Sequence, residues 1–137
     1  MKKFYLNFLV ILFATTAIAF GEISGQMYKK TIAIDLDGVL DEYTGKYDEN
    51  KIPDIRNGAK EFIIKLSNNY KLVLFTTRDS NLAKEWLIKN EINQYFSEIT
   101  NAKPLAHIYL DDRALKFNGD YDKTLEEIKS YKVYYKK

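Results

Sequence analysis

Thr31-Ile32-Ala33-Ile34-Asp35-Leu36-Asp37-Gly38 sets the reading of the whole chain. A short apolar run ends abruptly in two aspartates and a glycine. Such a run, bounded by polar residues, reads as a buried strand. The glycine lets the chain turn sharply where the strand stops. The pattern of apolar run followed by polar exit recurs twice. Lys71 to Phe75 (KLVLF) leads into Thr76-Thr77-Arg78, and Ile108-Tyr109-Leu110 leads into Asp111-Asp112.

Between and beyond these strands the periodicity changes. Ala59, Phe62, Ile63 and Leu66 fall at i, i+3, i+4 and i+7, the spacing of one helix face. Asn68-Asn69 end that helix. Ser80 is expected to cap a second helix that buries Leu82, Ala83, Trp86 and Leu87. Residues 38–56 carry Gly38, Gly45 and Pro53 among charges and read as a loop or small flap. Residues 96–100 read as a short strand. Thr124-x-x-Glu127 fits a capping box for a last helix with Leu125 and Ile128 facing inward. Lys132 to Tyr135 reads as a final strand. Alternating strands and helices argue for an α/β fold with a mostly parallel sheet. Ligands of such sheets sit at the carboxyl ends of the strands. That rule places Asp35 and Asp37, Thr76 to Arg78, and Asp111-Asp112 in one crevice.

Composition narrows the chemistry. The chain has 137 residues, 21 Lys+Arg against 19 Asp+Glu, and 46% apolar residues, which suits one compact folded domain. A net charge of +2 does not imply extended nucleic-acid binding. There is no cysteine and only one histidine, His107, so thiol nucleophiles, Cys-ligated zinc and multi-His metal sites are absent. Carboxylate, hydroxyl and lysine chemistry remains.

Residues 1–26 form a separate unit. Lys2 and Lys3 precede an uncharged, mostly apolar run from Phe4 to Phe20, and Ala17-Ile18-Ala19 fits a small-x-small cleavage site. We read this as an export signal, so the protein is expected to be periplasmic or secreted. A retained membrane anchor through residues 4–20 is the second reading. A cytoplasmic protein starting at Met27 is the third. Residues 27–137 are then the catalytic domain.

The strand ends suggest a reaction. An aspartate at a strand end can attack phosphorus and become an aspartyl phosphate. A second carboxylate two residues on can protonate the leaving oxygen and later deprotonate water. Asp35, Asp37, Asp111 and Asp112 would repel one another if they converged unpaired. A hard cation such as Mg²⁺, bound by carboxylates and water, relieves that repulsion. A Thr76 hydroxyl can hydrogen-bond a phosphoryl oxygen, and a lysine can neutralise developing charge.

These residues resemble the motifs of the haloacid dehalogenase-like (HAD) phosphohydrolases. Ile32 to Leu40 looks like the first motif, an apolar strand followed by DxDG. Thr76 resembles the second motif, Lys103 in Lys103-Pro104 the third, and Asp111-Asp112 the fourth. The match runs from about residue 31 to 113 in the family's order. The resemblance implies a Rossmann-like three-layer α/β/α domain. It also implies that Asp35 is the nucleophile and a Mg²⁺ ligand. Asp37 would be the general acid/base, with its backbone carbonyl on the metal. Thr76 and Lys103 would hold the phosphate. Asp111 would be a further metal ligand, and Asp112 would tune that site or bind Lys103. The aspartate at position 37 favours phosphatases over the family's dehalogenases, which lack it.

Two departures stand out. Lys103 lies only eight residues before Asp111, so no helix fits between the third and fourth motifs. An extended chain from Thr100 to Ile108 spans at most about 26 Å, enough to cross a few strands. There is also no room for a cap domain. An open site points to a bulky phosphorylated substrate, or to a cap supplied by another subunit. Two other readings stay open, a catalytically silent HAD-like phosphate-binding domain and a phospho-accepting signalling domain of the receiver type. A receiver has its acidic pair after the first strand and its accepting aspartate after the third, whereas here DxD comes first. Transfer of the phosphoryl group to an acceptor other than water is also open.

Overall fold

The computed structural model describes residues 28–135. The leader or anchor expected over residues 1–26 lies outside the described residues. None of the described helices is long and apolar enough to cross a membrane. The element order is β1 (Thr31–Ile34), α1 (Ala59–Ser67), β2 (Lys71–Phe75), α2 (Ser80–Lys89), a 3-10 turn (Asn93–Tyr95), β3 (Phe96–Thr100), β4 (Ile108–Leu110) and α3 (Tyr121–Ser130). The four strands form one sheet in the order β3-β2-β1-β4. Every pairing is parallel, so the sheet is wholly rather than mostly parallel. This is a small Rossmann-like α/β domain with no cap among the described residues.

Side-chain alternation explains the core. Ile32 and Ile34 share one face of β1, and their partners Leu72 and Leu74 share the same face of β2. Those four pack with Ala59 and Ile63 of α1 and with Ala83, Trp86 and Leu87 of α2 in a single cluster. Burying each large side chain there contributes about 1.5–3 kcal/mol. Trp86 also donates its indole N–H to the Pro53 carbonyl at 2.7 Å, which ties α2 to the flap.

The crossover from β3 to β4 explains the missing helix. β4 lies beyond β2 and β1 from β3, three strand spacings or about 14 Å away. Residues 101–107 cover that distance without regular structure. Lys103 therefore lies partway along a crossing segment.

Four local expectations are corrected. The cap of α2 is Asp79 rather than Ser80. Its carboxylate accepts from the N–H groups of Asn81 and Leu82, both at 3.0 Å, and a charged acceptor outcompetes the neighbouring hydroxyl. Asp120 caps α3 in the same way, accepting from Lys123 N at 3.0 Å. Thr124 then falls inside the first turn, where its hydroxyl bonds the Asp120 carbonyl. Leu125 and Ile128 of α3 do not face inward, being 55% and 56% exposed. Their spacing makes an apolar face, but no α3 residue is buried. Lys132 to Tyr135 forms no strand. Its tyrosines instead use their rings and hydroxyls on the loops above the sheet, as described below.

Candidate active site

Register brings the predicted residues together. Ile34 pairs with Leu110, so the next residues, Asp35 and Asp111, leave their strands at the same level. Ile34 also pairs with Leu74, so Thr76 follows one residue further along β2. Asp35 N donates to Leu110 O at 2.9 Å and Thr76 N to Thr100 O at 3.0 Å, which extends the ladder into the site. A cleft of about 310 Å³ opens there. Asp35, Asp37, Thr76, Asp111 and Arg113 contribute to its lining, with Tyr43, Tyr47 and Phe75 as aromatic walls. A larger hollow of about 960 Å³ lies at the opposite ends of the strands, beside Tyr28, Tyr70 and Tyr95. It has no carboxylate among its described lining residues, whereas the smaller cleft has Asp35, Asp37 and Asp111.

Three carboxylates converge here, Asp35 and Asp111 lining the cleft and Asp112 buried beside them. Oxygens of Asp35, Asp111 and Asp112 all lie within 4.8 Å of one another. Burial pushes the Asp35 carboxyl up to about 7, and the charges of Asp111, Asp112 and Asp37 add to that. The Leu36 N–H, 2.8 Å from Asp35 Oδ1, works in the opposite direction. The Asp112 side chain is 1% exposed, and neither of its oxygens has a hydrogen-bond partner. The nearest cation is Arg113, whose Nε is 3.6 Å from Asp112 Oδ2. A buried carboxylate without partners is costly. The orphaned oxygens of Asp112, beside the carboxylates of Asp35 and Asp111, form the kind of donor set that a hard divalent cation takes, so the residues fit Mg²⁺.

Asp37 stands apart from this group. Its carboxylate is held by Arg78, with Nε at 2.9 and 3.2 Å from its two oxygens and Nη2 at 2.6 Å from Oδ1. Arg78 is nearly inaccessible, and its own N–H donates to Thr76 Oγ1 at 3.2 Å. Burial works against the Arg78 charge, and the hydrogen bond and charge of Asp37 outweigh it, so its pKa rises. Thr76 is buried beside the carboxylates, where the resemblance places the second motif.

Lys103 is not gathered in. It is exposed, and its ammonium lies 4.9 Å from the centre of the Tyr109 ring. Tyr109 in turn packs edge-on against Phe75, which lines the cleft. Lys103 is thus two aromatic rings from the carboxylates. The cation beside Asp112 is Arg113 rather than Lys103. His107 lies at the other end of the strands, where its Nδ1 accepts from Thr31 N.

Several supporting residues escaped the sequence reading. Asp41 is fully buried, and its Oδ1 accepts from Gly38 N at 2.8 Å and Tyr43 N at 3.1 Å, which shapes the turn after Asp37. Burial, the largest influence, raises its pKa to about 6. Gly38 has φ +80°, and a Cβ there would fall 2.6 Å from Asp112 Oδ2 and 2.9 Å from the Tyr135 ring. The C-terminal tail closes over this turn. Tyr134 donates to the Gly38 carbonyl, Tyr131 donates to the Asp112 carbonyl at 2.8 Å, and Tyr135 packs edge-on against Tyr43. Asp41 had one visible signal, an acidic residue four positions after Asp37 that directly follows the apolar Val39-Leu40. The tail tyrosines had none, because their partners are remote in sequence.

Comparison with known proteins adds to this geometry. A solved structure of a conserved protein from Bacteroides thetaiotaomicron is similar at 23% identity and a TM-score of 0.50, covering 78% of this chain and 95% of that one. At that identity the likeness speaks for the fold. No curated protein matches the chain. A family profile described as NLI interacting factor-like phosphatase matches residues 30–133.

Proposed function

The chain belongs to the NLI interacting factor-like phosphatase family, a HAD-like phosphatase family, and from that premise we propose that it is a Mg²⁺-dependent phosphoester hydrolase working through an aspartyl phosphate. The observation that carries this reading is the convergence of Asp35, Asp111 and Asp112 within 4.8 Å at the strand ends, with Asp37 held separately. Asp35 Oδ attacks phosphorus as the bond to the leaving oxygen breaks, and Asp37 supplies the proton that oxygen takes. Asp37 then removes a proton from water, whose oxygen attacks the aspartyl phosphate and restores the Asp35 carboxylate. The Thr76 hydroxyl donates to a phosphoryl oxygen. Asp35, Asp111 and the Asp37 backbone carbonyl would hold Mg²⁺, which would offset the charge between an anionic nucleophile and an anionic phosphate. Asp112 steadies that group. Lys103 reaches the phosphate only by leaving the Tyr109 ring.

The uncapped cleft favours a phosphoryl group carried on a bulky molecule. Residues 1–26 would export or tether the protein. A silent phosphate-binding role is disfavoured by the presence of both Asp35 and Asp37. The test is phosphate release from a broad phosphoester panel, run with Mg²⁺, with EDTA and with Asp35→Asn. We expect release that needs the metal and is lost in the variant. Metal-independent release, or none from folded protein across the panel, would count against the reading.

A further inference from the structure

Four of the five N–H donors of Arg78 are engaged by the protein itself. Its Nε and Nη2 hold Asp37, as above. Its Nη1 donates to the backbone carbonyls of Asp48 and, at 3.2 Å, Lys51. The Tyr47 ring covers its face with the guanidinium carbon 4.2 Å from the ring centre. Its side chain is 1% exposed. A guanidinium so enclosed does not bind substrate, but it fixes what it touches. It touches the carboxylate of Asp37 on one side and the flap of residues 47–51 on the other.

We propose that Arg78 is a positioning residue that reserves Asp37 for proton transfer and couples its orientation to the flap. The inference rests on the phosphatase reading above. Asp37 is two residues from Asp35, and a fourth free carboxylate beside three converging ones would be drawn towards the same cation. The fork of Arg78 engages both oxygens of Asp37 and so removes its freedom to turn inward. Lysine, a point charge on a flexible stem, cannot reproduce that fork. Because Asp48 and Lys51 share the same guanidinium, displacing the flap also loosens Asp37. As the Asp35–phosphorus bond forms and the ester bond breaks, the electron pair stays on the leaving oxygen, which takes a proton that Asp37 has first gained from solvent on Oδ2, the oxygen held only by the shared Nε–H. A misplaced Asp37 therefore harms poor leaving groups most.

The experiment compares p-nitrophenyl phosphate, a good leaving group, with phenyl phosphate, a poorer one of similar shape. Full-length wild type, Arg78→Lys, Arg78→Gln, Asp37→Asn and Arg78→Lys/Asp37→Asn are each assayed with Mg²⁺, and thermal melting confirms folding. The expected result is that Arg78→Lys loses at least tenfold more kcat on phenyl phosphate than on p-nitrophenyl phosphate. Asp37→Asn should show the same bias, and the double variant should be no slower than Asp37→Asn alone. Equal losses on the two esters, or additive losses in the double variant, would overturn the inference while leaving the phosphatase reading intact. Loss of a cooperative melt in both Arg78 variants would assign Arg78 a purely structural role and also overturn it. If wild type hydrolyses neither ester, the phosphatase reading falls for these probes and takes this inference with it.

Discussion

The two halves of the domain are built to different standards. β1, α1, β2 and α2 wind around one core, in which Ile34, Ile63, Leu74 and Leu87 are fully buried. β4 and α3 follow the same alternation of strand and helix, yet Ile108 of β4 is 50% exposed and no residue of α3 is buried. An amphipathic helix is stabilised by what lies against its apolar face rather than by having one. In the first half, two helices lie against the same rows of strand residues. In the second half, the carboxylates leaving β4 are fixed by strand register and by the tail tyrosines, without a helix packed behind them. The site is therefore anchored on its β1 and β2 side and propped on its β4 side.

Core truncation is the strongest way to break this comparison. Ile63→Ala should cost about 2–5 kcal/mol in urea unfolding, because the side chain is fully buried among α1, α2 and the sheet. A loss under about 1 kcal/mol would mean that the first half is not the anchor. Gly38→Ala should cost about 1–3 kcal/mol and most of the activity. Its Cβ must displace Asp112 or the Tyr135 ring at a backbone angle that suits glycine. Unchanged unfolding and turnover would show that the tail does not prop the site.

Titration sharpens the comparison next. Asp35 and Asp41 have pKa values raised to about 7 and about 6, so the folded protein holds these protons more tightly than the unfolded chain does. Their stabilising contribution is full below about pH 4 and is lost as the pH rises through about 6 to 7. In EDTA, Asp35→Asn should thus gain on wild type in melting temperature between pH 4 and 8, and added Mg²⁺ should recover the wild type alone. A difference that does not change with pH would contradict the burial assigned to Asp35. The smallest effect is expected at α3. Leu125→Ala should alter stability by no more than about 0.5 kcal/mol, as for other exposed positions. A cost near that of Ile63→Ala would reveal a partner for that face.

Most of what the sequence made legible was local. β1, β2 and β4 were visible because each holds a contiguous apolar run, and the polar residue ending each run marked the site. Parallel register then brought Asp35, Thr76 and Asp111 together without any further information. What stayed hidden depends on long-range pairing. Arg78 reaches Asp37 across 41 positions, and Tyr134 reaches Gly38 across 96. Position along the chain does not show which carboxylate an arginine will select. Leu125 and Ile128 of α3 were expected to face inward and do not, because spacing is silent about what stands opposite. Lys103 matched a motif by order and residue type, while the short crossover placed it over Tyr109 and outside the cleft. Asp79 displaced Ser80 as the cap because a carboxylate accepts two backbone N–H groups more strongly than a hydroxyl does.

The central claim is that Asp35 carries the phosphoryl group. It is tested most directly by mixing the protein with Mg²⁺ and p-nitrophenyl phosphate, quenching in the steady state, and reducing the product with borohydride, which converts an aspartyl phosphate to homoserine. Peptide mass analysis then locates the change. The account predicts homoserine at position 35 that depends on both substrate and metal. Phosphate release with no modification at Asp35, or with modification at another carboxylate, would contradict it.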